Sequence, residues 1–162
     1  MKNLWAPWRK EFILGEKEKG CIFCKRLKEK KDKKNLILFR GKSCFVILNR
    51  FPYNSGHLMV SPKRHIGKLE KLKDSELFEL IKLTQLSVKV LKEVLKPHGF
   101  NLGVNLQKVS GAGIADHLHI HIVPRWNGDT NFMPVLADTK LISISLDEIY
   151  QKIKEEFDKI SL

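Results

Sequence analysis

Residues 117–125 read His-Leu-His-Ile-His-Ile-Val-Pro-Arg, with three histidines at alternating positions and apolar residues between them. Alternation is the period of a β-strand. The stretch therefore predicts a strand over 118–123, with His117, His119 and His121 along one face and Leu118, Ile120 and Ile122 on the other. Three imidazoles so close cannot all carry charge, so at least one is held neutral, and a neutral imidazole is a nucleophile or a metal ligand. H-x-H-x-H can offer three ligands to zinc, but a catalytic zinc wants an open position and usually a nearby carboxylate. Asp116, beside His117, is predicted to point to the opposite face. Histidines that only satisfy hydrogen bonds in a core rarely come three in strict alternation.

Working outward, the apolar runs at 35–39, 44–48 and 57–61 read as antiparallel strands, with Gly41 turning the first pair and Pro-Tyr-Asn-Ser-Gly at 52–56 the second. A long helix is predicted from Asp74 as N-cap, with Leu77, Leu80, Ile81, Thr84, Val88, Leu91 and Leu95 on one stripe and Pro97 and Gly99 just beyond its end. Residues 100–106 read as the next strand and 110–113 as a loop of small residues. Ser145 and Glu148 have the spacing of a capping box, and Ile149, Ile153, Phe157 and Ile160 stripe the helix behind them. The expected fold is α+β, an antiparallel sheet with one long crossing helix and a C-terminal helix. It reads as one domain over 1–162: an N-terminal segment to 34 anchored by Trp5 and Trp8, a core over 35–125, and an extension over 126–162.

The chain of 162 residues is 43% apolar, enough for a core without disulfide support. Its three cysteines, a CxxC pair and one left over, fit a reducing compartment, and the expected location is cytoplasmic. No leader-like apolar region or bilayer-length apolar run is present, so neither secretion nor a membrane span is expected. The formal net charge of +12 favours anionic partners. Much of that excess lies in 25–34, which reads as a solvated helix or loop, and no aromatic-interleaved basic repeat points to a dedicated nucleic-acid module.

Cys21 and Cys24 have the spacing of a zinc half-site, and tetrahedral zinc needs two more ligands. His57, His65, His98 and the triple histidine are the available completions. A redox CxxC would follow a strand in a βαβ setting, which is absent here. Spacing alone leaves zinc open.

Residues 49–125 resemble the histidine triad family. Residues 117–123 match its HφHφHφφ motif, and LNRFPYNSGHLMVSPKRHI at 48–66 precedes it; LWAPWR with CIFC, and the closing VPRWNGDTNFMP, are most similar to the branch containing diadenosine tetraphosphate phosphorylases. The resemblance implies an enzyme in which the middle histidine, here His119, attacks an α-phosphorus to give a nucleotidyl-histidine that a second acceptor resolves. His121 would stabilise charge developing on the phosphate, and His57 would support the triad from the neighbouring strand. Asn49 matches the family residue that binds ribose hydroxyls. Asn105 matches a phosphate-contacting asparagine, and Ala112 and Gly113 lie where backbone N–H groups approach phosphate oxygens. In members with an N-terminal CxxC, a structural zinc is completed by positions corresponding to His65 and His117, giving Cys21, Cys24, His65 and His117, while Cys44 packs in the core. A homodimer is implied, and a divalent cation can accompany the nucleotide substrate.

Two departures bear on the acceptor. Many hydrolases of the family carry Gln four residues before the first triad histidine, where this chain has Gly113, which leaves room for an acceptor larger than water, such as inorganic phosphate. The phosphorylase branch often has Gly-Ser where this chain has Ala112-Gly113, so a hydroxyl suited to holding inorganic phosphate is missing. Phosphorylase and hydrolase both remain open. So do a nucleotide-binding module without turnover and a metal-storage or metal-sensing protein. Trp126, Phe132 and Met133 are candidates for a lid or for adenine stacking.

Overall fold

The computed structural model describes residues 20–129 and 144–160. The expectations for Trp5, Trp8, Phe132 and Met133 lie outside these residues. In chain order the elements are α1 (Ile22–Glu29), α2 (Asp32–Asn35), β1 (Ile37–Arg40), β2 (Cys44–Leu48), β3 (Leu58–Pro62), α3 (Asp74–Leu95), β4 (Gly99–Val104), β5 (Ile120–Arg125) and α4 (Leu146–Asp158). A short 3-10 turn, Leu69–Lys71, precedes α3. The strands form one antiparallel sheet in the order β1-β2-β3-β5-β4. The α+β fold class read from the sequence is the observed one.

Register sorts the sheet into two faces. Val46 pairs with Val60 and Leu48 with Leu58, and these side chains share a face with Ile120 and Ile122. The long helix α3 crosses this face over β2, β3 and β5, with α4 beside it. The other face carries Phe45, Ile47, Met59 and His121, and α1 covers part of it through Phe23. β2 and β3 are buried along their whole length, because both faces are covered. β4 is largely exposed at the sheet edge.

Several local expectations need correction. The histidine strand begins at Ile120 rather than 118, so of the three histidines only His121 lies within it. Asp74 is the first residue of α3, not its cap; Lys73 takes that place, and its backbone N–H donates to the Glu76 carboxylate at 2.9 Å. Leu77 and Ile81 are exposed at 43% and 55%, because the buried stripe runs through Leu80, Leu83, Thr84, Ser87, Val90 and Leu91. The Thr84 and Ser87 hydroxyls donate to the carbonyls of Leu80 and Leu83, which lets two polar residues occupy that stripe without an unpaired group. Asn35 and Leu36 lie in and beyond α2, with Leu36 at φ 60°, so β1 starts at Ile37.

Two close approaches join the layers. Glu79 on α3 accepts from the backbone N–H groups of Lys42, Ser43 and Cys44 at 2.6, 2.5 and 2.9 Å, holding the β1–β2 turn. Gly41 permits this, since a Cβ there would lie 2.5 Å from the Glu79 carboxylate oxygen. On the C-terminal helix, Ser145 caps by accepting from the Glu148 N–H at 3.2 Å, and Ile149, Ile153 and Phe157 are buried as the spacing predicts. No helix among the described residues is long and apolar enough to cross a membrane.

Candidate active site

The site grows from three pieces of chain: CxxC at the start of α1, the strand-turn-strand around β3, and the approach to β5. Gly67 brings two of them together, since a Cβ there would sit 2.5 Å from the Ala115 carbonyl oxygen, against the backbone that leads into His117. The Leu118 N–H donates to the Ile66 carbonyl at 2.7 Å, and the buried Ser61 hydroxyl donates to the Leu118 carbonyl at 2.8 Å. The backbone between His117 and His119 is thereby tied on both sides.

That restraint divides the histidines, which the alternation had placed in one row. His117 turns its Nδ1 toward Cys21 Sγ at 3.1 Å, Cys24 Sγ at 3.6 Å and His65 Nδ1 at 3.3 Å. Cys24 Sγ lies 3.6 Å from His65 Nδ1. All four donor atoms fall within 4.8 Å of one another. Tetrahedral zinc, with Zn–N about 2.0–2.1 Å and Zn–S about 2.3 Å, spaces its donors about 3.3–3.8 Å apart, so this set can hold it. The opposite nitrogen of His117, Nε2, donates to the Pro62 carbonyl at 2.8 Å, which leaves Nδ1 as the lone-pair donor a metal needs.

His119 has the reverse tautomer. Its Nδ1–H donates to the His117 carbonyl at 2.9 Å, so Nε2 carries the free lone pair. A second chain of bonds fixes its neighbour. The Tyr53 N–H and the Asn49 amide reach His57 Nδ1 at 3.1 and 3.3 Å, making that atom an acceptor. His57 Nε2–H then donates to His121 Nδ1 at 2.9 Å, and His121 keeps Nε2–H as an outward donor. The His119 and His121 rings meet at 4.7 Å between centroids and those of His57 and His121 at 5.1 Å. The cluster therefore presents one imidazole lone pair beside one imidazole N–H.

Burial keeps these rings neutral. His57 is fully buried and its pKa is lowered to about 3, first by burial and then by His121 and His119. His121 falls to about 4, again chiefly by burial. Burial also lowers His119 and His117. In contrast, burial pushes the Cys44 thiol up to about 12, which makes it an inert core group.

The remaining candidates lie around this cluster. Asn49 directly follows β2, and its Oδ1 accepts from the Phe51 N–H at 3.0 Å. Asn105 follows the last residue of β4, where the register puts Gly103 opposite His121, and its amide is 4.0 Å from the point a Cβ on Gly111 would occupy. Ala112 and Gly113 are in the loop between β4 and β5; no hydrogen bond among the described residues ties them to the imidazoles, and a Cβ on Gly113 would meet open space. His98 accepts from the Asn127 N–H at 2.9 Å and has no place in the metal cluster, and half-buried Trp126 donates its backbone N–H to Asp129.

Two aromatic residues at the site escaped the sequence reading. Tyr53, 56% exposed, stacks on His121 at 5.8 Å and 27°. Phe23, wholly buried, lies edge-on to both His117 and His119. The available signal was position alone: one sits in the turn before His57 and the other between the two cysteines.

The HIT domain model matches residues 30–128, spanning the sheet and all three histidines of the motif. An AP-4-A phosphorylase of Mycobacterium tuberculosis is 39% identical over 150 residues, covering 88% of this chain and 77% of that protein. A histidine triad nucleotide-binding protein from Sulfolobus tokodaii superposes with a TM-score of 0.68 at 26% identity, over 86% of this chain and 93% of that one. A Zn-bound histidine triad family protein from Mycobacterium smegmatis shares the fold at a TM-score of 0.70 and 22% identity, over 86% and 94% of the two chains. Family model, sequence relatives and fold meet on the segment that carries the imidazoles, and the chain belongs to the HIT domain family of nucleotide hydrolases and transferases.

Proposed function

We propose that this chain cleaves diadenosine polyphosphates through a nucleotidyl-histidine at His119, and that its principal reaction is phosphorolysis of diadenosine tetraphosphate to ATP and ADP. The observation that carries the reading is the tautomer pair: His119 Nε2 is a free, neutral nucleophile, and the His121 Nε2–H beside it is a donor. Nε2 attacks the α-phosphorus, the P–O bond to the polyphosphate breaks, and ATP leaves. An oxygen of inorganic phosphate then attacks the same phosphorus, the P–N bond breaks, and ADP leaves with His119 restored.

His121 donates to the non-bridging oxygen on which charge builds. His57 holds His121 in the donating tautomer. Asn49 takes the ribose hydroxyls, while Asn105 and the backbone at Ala112 and Gly113 receive the phosphates. The open space at Gly113 supports an acceptor larger than water. Zinc at Cys21, Cys24, His65 and His117 would be structural, since four protein ligands leave no open position. A divalent cation accompanies the nucleotide, and the protein works in the cytoplasm as a single-domain chain in a homodimer. Identity to the tuberculosis phosphorylase supports the phosphorylase assignment.

A second reading, hydrolysis with release of AMP, has support from an adenosine 5'-monophosphoramidase of Candida albicans, 26% identical over 145 residues. Chromatography of products with and without inorganic phosphate separates them. ATP plus ADP only with phosphate is the expected result, ATP plus AMP without phosphate makes the enzyme a hydrolase, and His119→Ala abolishes either.

A further inference from the structure

The metal corner and the proposed nucleophile adjoin at a residue to which the mechanism above gives no part. Phe23 stands between Cys21 and Cys24 and is fully buried. Its ring meets His117 at 5.2 Å and 74°, His119 at 5.3 Å and 62°, and Phe45 at 5.9 Å. These are edge-to-face contacts of the kind aromatic rings prefer.

The His119 imidazole is bonded to protein at Nδ1, through the hydrogen bond to the His117 carbonyl. One such bond fixes the direction of the N–H but leaves the ring free to tilt about it. A second contact away from that axis restricts the freedom, and besides the His121 ring at 4.7 Å, Phe23 supplies one. Both restraints start in the metal corner: the carbonyl belongs to a residue of the donor set, and Phe23 is flanked by two more of them. The four donors fit tetrahedral zinc, so a bound metal would tie down both restraints together.

We infer that Phe23 is a positioning residue: seated between Cys21 and Cys24, it fixes the plane of the His119 imidazole, so that metal occupancy at the corner sets the aim of Nε2. This rests on the reading of His119 as nucleophile. Phe23 is out of reach of solvent and so of substrate, and its loss acts on the chemical step rather than on nucleotide binding.

The test uses Phe23→Leu, which keeps an apolar side chain but removes the ring. With one metal per chain verified by elemental mass spectrometry, kcat falls about 10²-fold while KM stays within about twofold, the pattern of a misaimed reacting atom. Nuclear Overhauser contacts between the His119 and His121 rings, 4.7 Å apart at their centroids, report the plane of the His119 imidazole in the metal-loaded protein. In Phe23→Leu, and in the intact protein stripped by a chelator, these ring-to-ring contacts weaken as the His119 plane tilts, while the tautomer set by the His117 carbonyl is kept. Unchanged kcat in metal-loaded Phe23→Leu overturns the inference, and so does a KM that rises as far as kcat falls. If Phe23→Leu fails to fold, the stripped protein decides alone: contacts between the His119 and His121 rings that stay unchanged without metal overturn it. Absence of turnover in the unaltered protein would instead count against the proposed function, and the NMR result stands apart from that outcome.

Discussion

His117 and His119 are two residues apart, both buried and both neutral, yet they offer opposite nitrogens to their surroundings. His117 gives its N–H to the Pro62 carbonyl through Nε2 and faces the cysteines with Nδ1; His119 gives its N–H to the His117 carbonyl through Nδ1 and leaves Nε2 bare. Same residue type and near-identical burial thus yield a metal donor in one case and a nucleophile in the other. The choice is made by which carbonyl oxygen is within reach, because a neutral imidazole has one N–H to give and the other nitrogen must then be the lone pair.

The largest break in this comparison comes from the corner. Cys24→Ala leaves three donors where a closed structural zinc needs four, and binding energies of roughly 10 kcal/mol or more for structural zinc show how much fold stability such a site can carry. The variant is expected to lose its metal and to melt at a much lower temperature, and differential scanning calorimetry with metal analysis checks both. Retained metal and an unchanged Tm would mean that the corner contributes no fold stability through its fourth ligand.

Acidification sharpens the other half. The unfolded chain takes up protons on its histidines below about pH 6.5. Folded His57 does not until about pH 3, nor folded His121 until about pH 4. A depressed folded pKa means that the stability present above pH 6.5 is lost as pH falls from there toward these values. His57 alone sets a slope of about 1.4 kcal/mol per pH unit in that window, to which half-buried His121 adds a smaller, screened amount. Urea denaturation at several pH values measures it, and His57→Gln is expected to flatten the slope.

The smallest effect comes from the link between the halves. Ser61→Ala removes the hydroxyl that donates to the Leu118 carbonyl, leaving a buried acceptor short of a partner at a cost of about 1–3 kcal/mol. The expected result is a lower urea midpoint with both the metal and the His119 tautomer retained. Loss of either would show that the two histidines depend on a single bond between them.

How much of this was legible in the sequence follows the same division. The run at 44–48 is a strand to the residue, and Ser145 caps its helix as the spacing says, because both depend on neighbours in the chain. Cys21, Cys24, His65 and His117 converge as the family pattern implies. The split in role between His117 and His119 came from the family resemblance and not from the alternation, since the Pro62 carbonyl takes the His117 side chain and the Ile66 carbonyl the Leu118 N–H from a distant segment. The stripe on α3 was misjudged for a related reason. Ser87 is buried because its hydroxyl turns back to its own helix, a bond that hydropathy does not rank, whereas Leu77 and Ile81 face out despite theirs.

Glu79 carries a last consequence, for how the molecule opens. The three turn amides it holds lie 35 to 37 residues away along the chain, so the β1–β2 turn cannot be satisfied by its own neighbourhood. Exchange of those amides with solvent deuterium therefore requires the first turns of α3 to lift from the sheet. Lys42, Ser43 and Cys44 are reporters of helix undocking rather than of a fraying loop, and hairpin and helix belong to one cooperative unit.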